Sequence, residues 1–271
     1  MSTHTEHPVF HPQAASMELP GIRSVTADQP FHWLREGAND LIRAWPLSLF
    51  YGVVYALLGY GLVNAAEARP HLAMALTSGF VFVGPVLATV FYFLSHRLEH
   101  HHKLPKLFVP LLSWRANPGS LGLYAVMLLF VLISWERLTA ILVALFLNDS
   151  GVGSLSDLVS FSDVQQHTDF VLAYLAFGGV LALIMFSISV VSLPMMLHRK
   201  VDFATALVTS FMATRLNFPV MLLWGVMIAV LVAIGMTTNF IAMALIFPWL
   251  GHASWHAYRE LIEREYPEGH K

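Results

Sequence analysis

The chain reads as an all-α polytopic membrane protein: six transmembrane helices forming three repeated hairpins, each preceded by an interfacial amphipathic helix. Three observations point there. Of its 271 residues, 56% are hydrophobic and 12% are charged, against about 25% charged in ordinary soluble domains. Six stretches approach or exceed the ~20 apolar residues that cross a bilayer: Pro46–Val63, Leu72–Ser95, Gly119–Leu147, Phe170–Leu197, Phe218–Thr237 and Phe240–Tyr258. None alternates as a barrel strand would. A junction pattern also recurs three times: Arg43-Ala44-Trp45-Pro46, Arg115-Ala116-Asn117-Pro118 and Arg215-Leu216-Asn217-Phe218-Pro219.

Taken in order, residues 1–30 are polar and rich in Pro and His, without the basic start and apolar core of a secretory signal. They read as a disordered cytoplasmic tail, in which His4, His7 and His11 are either solvated or transient metal ligands. Residues 31–262 form the six-span domain and 263–271 a second cytoplasmic tail. In Phe31–Trp45, the apolar Leu34, Ala38, Leu41, Ile42 and Trp45 share one helical face, with Arg35, Glu36, Asn39, Asp40 and Arg43 on the other. Phe203–Leu216 repeats this weakly. Leu104–Ala116 is interrupted by Pro105 and Pro110.

At each junction, Pro is placed where the first turn of a helix tolerates it, Asn where it caps, and Arg43, Arg115 and Arg215 where guanidinium groups reach lipid headgroups. The returning spans each contain a proline, Pro85, Pro194 and Pro248. These kink the helices for packing or, alternatively, open them around a binding site. Gly225, Ala229 and Ala233 form a small-residue strip suited to close helix contact. Glu136-Arg137 interrupts the third span about 27 Å along it and predicts a helix end or bend there, the alternative being a buried ion pair that lines a pathway.

Thirteen of the 15 Lys and Arg fall on one side of the six spans, leaving Arg69 and Arg137 at the other. The positive-inside rule therefore places both termini in the cytoplasm. The loop 148–169 carries Asp149, Asp157, Asp163 and Asp169 and no basic residue. Lys+Arg (15) does not exceed Asp+Glu (17), which excludes a nucleic-acid binder. The absence of Cys excludes disulfides, thiolate metal sites and cysteine nucleophiles.

Candidate chemistry concentrates on histidine. Pro194 and Pro248 are each followed four residues later by His, at His198 and His252, and one further turn brings Asp202 and His256. His252 and His256 share a helix face at a bidentate metal spacing, with His198 and Asp202 as possible further ligands. His252 lies about 9 Å inside the nominal end of its span, where an ionisable group is a functional candidate by default. The competing reading is a neutral, hydrogen-bonded histidine, with Asp202 a helix cap. A second run, His96-Arg97-Leu98-Glu99-His100-His101-His102-Lys103, reads as a solvated rim. Nucleotide-loop, His-Glu-x2-His and nucleophile-elbow motifs are absent, so no catalytic residue is assigned.

Val191-Ser192-Leu193-Pro194-Met195, Arg115-Ala116-Asn117-Pro118-Gly119 and Gly251-His252-Ala253-Ser254-Trp255-His256-Ala257-Tyr258-Arg259 together resemble an uncharacterised family of bacterial integral membrane proteins, a domain of unknown function. The resemblance runs over about residues 31–262 and implies six spans in the inner membrane. Members are sometimes labelled as related to cytochrome c oxidase subunit I. This chain lacks the His-Pro-Glu-Val-Tyr motif and the span count of that subunit. The expectation is a non-enzymatic binding or scaffold protein acting through its cytoplasmic half on a small ligand or another membrane protein. Its alternatives are a haem- or transition-metal-binding protein associated with respiratory complexes and, more weakly, a small-molecule transporter.

Overall fold

A computed structural model describes residues 17–66, 69–100, 104–147 and 167–263, with the strand residues 9–10 and 13–14. His4, His7, His11, His101, His102, Asp149, Asp157 and Asp163 lie outside the described residues. Two short strand pairs, Val9–Phe10 with Ile22–Arg23 and Gln13–Ala14 with Met17–Glu18, precede the helices. Every longer element described is helical: α1 (Gln29–Arg43), α2 (Trp45–Ala65), α3 (Pro70–Leu87), α4 (Thr89–His100), a 3-10 helix (Pro110–Ala116), α5 (Pro118–Leu147), α6 (Thr168–Ser189), α7 (Ser192–His198), α8 (Phe203–Leu216), α9 (Phe218–Thr237) and α10 (Met243–Leu261).

The helix boundaries follow the junction chemistry. Pro46, Pro118 and Pro219 all fall in the first turn of a long helix, where the missing N–H has no intrahelical partner to lose. The junction asparagines do more than cap. Asn117 accepts from Ser120 N at 3.4 Å and donates to the Val201 carbonyl at 2.7 Å. Asn217 accepts from Val25 N and donates to the Arg23 carbonyl, tying the N-terminal segment to the start of α9. Leu19 and Ile22 are buried, and Ile22 bridges to Ile262. The packed chain thus begins near residue 19, ahead of the boundary at residue 30.

Among the described residues, five helices are long and apolar enough to cross a membrane: α2, α3–α4 taken together (His71–His100), α5, α6–α7 (Thr168–His198) and α9. In α2, α5 and α9 only 28%, 22% and 22% of the apolar window is buried, against 56% in the other two. Lipid therefore covers the former, and neighbouring helices cover the latter. The sixth stretch does not reach the same apolarity. It folds as α10, which starts at Met243 because Asn239 and Phe240 turn the chain at φ 51° and 65°. This helix carries His252, His256, Arg259 and Glu260 and packs against α1, α2, α4 and α9. Most of its side chains are covered by these neighbouring helices.

Proline effects differ along the chain. The α6–α7 helix is broken at Val190–Val191, where Pro194 removes the hydrogen bond to the residue four back. The Val191 N–H is recovered by Ser210 Oγ at 3.1 Å. Beside Pro85 the chain breaks at Ala88, whereas α10 runs on through Pro248.

Several expectations are corrected. The polar face of α1, read as solvated, in fact packs on the bundle through Asp40, beside Trp33 and Gly37, while Phe31 and Ile42 are exposed. Gly37 lets α1 approach the Ala253 backbone, and Trp33 and Trp249 bind Glu260 and the Leu34 carbonyl, both at 2.7 Å. The α5 helix continues past Glu136-Arg137 without ending. At 30 residues it spans about 45 Å, more than a ~30 Å hydrocarbon core, and the Arg137 side chain is 76% exposed beside Glu136. Ala229 and Ala233 face outward, so their strip makes no close helix contact. Gly52 and Gly251 do that work, against Ala244 and Phe91.

Candidate functional site

The basic ends of α1, α4, α7 and α10 converge, and the polar side chains buried there form two adjoining groups. The first is a hydrogen-bonded line. His252 and both serines beside it, Ser48 and Ser95, are fully buried. Ser48 Oγ lies 2.9 Å from His252 Nε2, and Ser95 Oγ 2.8 Å from its Nδ1. Ser95 also bonds to the Asp40 carboxylate, which lies 2.9 Å from His256 Nε2 and 3.6 Å from Arg43.

Proton positions follow from the inventory of donors. A carboxylate only accepts, so Ser95 spends its proton on Asp40 and must accept from His252 Nδ1–H. His252 Nε2 then accepts from Ser48, and the line of donors ends on one aspartate. Burial would raise the Asp40 carboxyl, but the bonds from His256 and Ser95, with the two imidazoles nearby, hold it below the ordinary range.

Both nitrogens of His252 are therefore engaged by hydroxyls. His252 and His256 do share a face, and the atom they serve is the Asp40 carboxylate. Asp202 stands apart as the cap of α8, accepting from Thr205 N at 2.9 Å, and Thr205's bonds hold its carboxyl below the usual range. Arg115 and Arg215 are exposed at the same end. Arg43 is drawn inward, donating to the Leu98 carbonyl at 3.3 Å.

The second group brings His198 together with His96 rather than with His252. The His96 and His198 ring centroids lie 5.0 Å apart, and His96 and His100 4.8 Å apart. Trp255 packs on both His96 and His198, at 5.3 and 5.5 Å. His198 Nδ1 meets the Tyr258 hydroxyl at 2.8 Å. Glu99 accepts from Trp255 Nε1 at 2.8 Å and pairs with Arg259 at 3.3 Å. A cavity of about 220 Å³ adjoins them, lined by Tyr92, His96, Ser113, Leu197, His198 and Trp255 among others.

Tyr55 and Phe247 stack at 3.4 Å, with Phe80 and Phe91 packed around them. A second cavity of about 140 Å³, bordered by Tyr55, Phe82, Pro85 and Phe247, is almost wholly apolar.

Sequence reasoning passed over Asp40, Ser48, Ser95, Glu99, Ser113 and Tyr258. A lone serine in an apolar span has no periodicity to betray it. One signal was present: His96-x2-Glu99-His100 is a metal-type spacing inside a run that otherwise reads as solvated.

Residues 73–198 match the model of a family described as a predicted integral membrane protein (DUF2189). This is the kind of uncharacterised membrane family that the sequence motifs resemble. The matched region runs from α3 to the end of α7 and includes His96, Glu99, His100 and His198, whereas the motif around His252 lies beyond it. No curated protein and no solved structure matches the chain.

Proposed function

We propose that this integral membrane protein is a non-enzymatic binding protein that holds a small ligand at its basic, cytoplasmic rim. The observation that carries the reading is the cavity of about 220 Å³ beside His96 and His198. The Ser113 hydroxyl on its wall is buried, at 7% exposure, and has no hydrogen-bond partner. Buried hydroxyls in folded proteins are normally satisfied, so this one suits a ligand or a water that comes with it. The volume lies below the roughly 300–1,000 Å³ of pockets for drug-sized molecules, which favours an ion or a very small molecule over haem. The nearby carboxylates, Asp40 and Glu99, are committed to His256 and to Trp255 and Arg259, an arrangement that favours holding over turnover.

Native mass spectrometry of the full chain extracted from membranes tests this. Wild type is expected to carry a bound mass that Ser113→Phe, which fills the cavity, has lost. An identical spectrum for the two proteins would overturn the reading.

The same proposal takes α10 as a sixth span, giving three hairpins in a bacterial inner membrane with both termini cytoplasmic. The element order supports it: α1, α2 and α3–α4, then the 3-10 helix, α5 and α6–α7, then α8, α9 and α10. So does the basic rim. Because the chain has no cysteine, single cysteines report sidedness directly. In right-side-out spheroplasts, an impermeant maleimide should label Thr237→Cys and spare Lys200→Cys. Labelling of both positions, or of Lys200→Cys alone, contradicts the topology.

A further inference from the structure

We infer that His96, His100 and His198, with Glu99 at their edge, form a site for a divalent transition metal of the zinc class. The inference rests on the binding reading of the same rim and names its ligand. His96 and His100 are one helical turn apart on α4 and so face the same way. His96, Glu99 and His100 offer ligand atoms that all lie within 4.8 Å of one another. His198 comes from the other end of the sequence match, on α7, and sets its ring 5.0 Å from that of His96. The α4 group of two imidazoles and a carboxylate thus has a third imidazole, from a separate helix, packed against its His96 ring.

The outer contacts suit ligation. His100 Nδ1 is 3.0 Å from the His96 carbonyl, which can only accept. His100 therefore carries its proton on Nδ1 and its lone pair on Nε2, the arrangement in which a second-sphere carbonyl orients a metal-binding imidazole. Glu99 is fixed by Trp255 Nε1 at 2.8 Å and by Arg259 at 3.3 Å, so it can complete the set or orient it without moving far. The buried, unpartnered Ser113 hydroxyl lies on the wall of the cavity that His96 and His198 also line. It can hydrogen-bond a water in an open coordination position. Imidazole nitrogens with one carboxylate and no thiolate select zinc and its borderline neighbours over calcium or magnesium.

The test uses the full chain, purified with its tag removed, in competition with a chelator for Zn2+, and Co2+ as a spectroscopic probe. One equivalent of Zn2+ should bind, and Co2+ should give the intense visible bands of a tetrahedral site. His100 is exposed, so His100→Ala removes a ligand without opening the core. That variant and His198→Ala should each weaken Zn2+ by about 100-fold or more. The triple variant of His4, His7 and His11 to Gln should bind as wild type does. Unchanged affinity in His100→Ala and His198→Ala, or loss of binding in the tail variant, would overturn the site. If no metal binds while native spectra retain an organic mass that Ser113→Phe loses, the metal assignment fails and the binding reading stands.

Discussion

Gly52→Leu is expected to prevent α2 from seating against α10 and to destabilise the protein by more than about 3 kcal/mol, beyond the usual cost of overpacking. A Cβ at this position would overlap the carbonyl group of Ala244 and come within 3.0 Å of the Pro248 ring. The obstruction is helix backbone, which has no rotamer to change. Relief would require the two helices to separate, and α10 also holds α1, α4 and α9 in place. Gly61, two and a half turns along the same helix, has nothing within 4 Å of a built Cβ. Gly61→Leu should therefore be neutral or slightly stabilising, since leucine is the better helix former. Thermal unfolding in detergent, followed by size-exclusion chromatography with fluorescence detection, compares the pair. Equal stability of the two variants would mean that the α2–α10 approach is not needed for the fold.

That contact also marks where sequence reasoning reaches its limit. Lipid imposes a strong composition on the helices it covers, so α2, α5 and α9 could be recognised as spans from their apolar residues alone. The junction prolines placed their starts for an equally local reason. The inner helices answer to one another instead. Pro248 and Ala244 are legible as residues, but nothing local says that Gly52, nearly 200 positions earlier, admits them. In α1 the amphipathic pattern was real but pointed to lipid, not to the bundle. The face that packs contains Gly37 and Asp40, residues that any hydropathy scale assigns to solvent. His252 stood out because an imidazole inside an apolar helix is rare. Its partners Ser48 and Ser95 are 204 and 157 residues away, and their pairing is a property of the assembled bundle.

Asp40 should therefore be among the least replaceable polar residues of the chain. It accepts from His256 at 2.9 Å and from Ser95, at 4% exposure. Asp40→Ala would leave the buried Ser95 hydroxyl and the half-buried His256 ring without this acceptor and remove the carboxylate beside Arg43. Leaving a buried donor without its acceptor costs about 1–3 kcal/mol, and more where the lost acceptor is charged. Asp40→Asn keeps the shape and one accepting oxygen, and an imidazole can offer Nε2 as an acceptor to the new amide, so about half of the loss should be recovered. The pH dependence has a definite sign. Because the folded carboxyl titrates below its ordinary value, its contribution is complete above the unfolded aspartate pKa of about 3.9. It is lost as pH falls through the lower, folded value. Wild type should thus lose thermal stability on acidification below about pH 4 by more than Asp40→Asn does. Thermal midpoints of the three proteins at neutral pH and across that acid range measure both effects. An Asp40→Ala protein within about 1 kcal/mol of wild type, the worth of an ordinary hydrogen bond, would show that the line from Ser48 to His256 is not what joins α1, α2, α4 and α10.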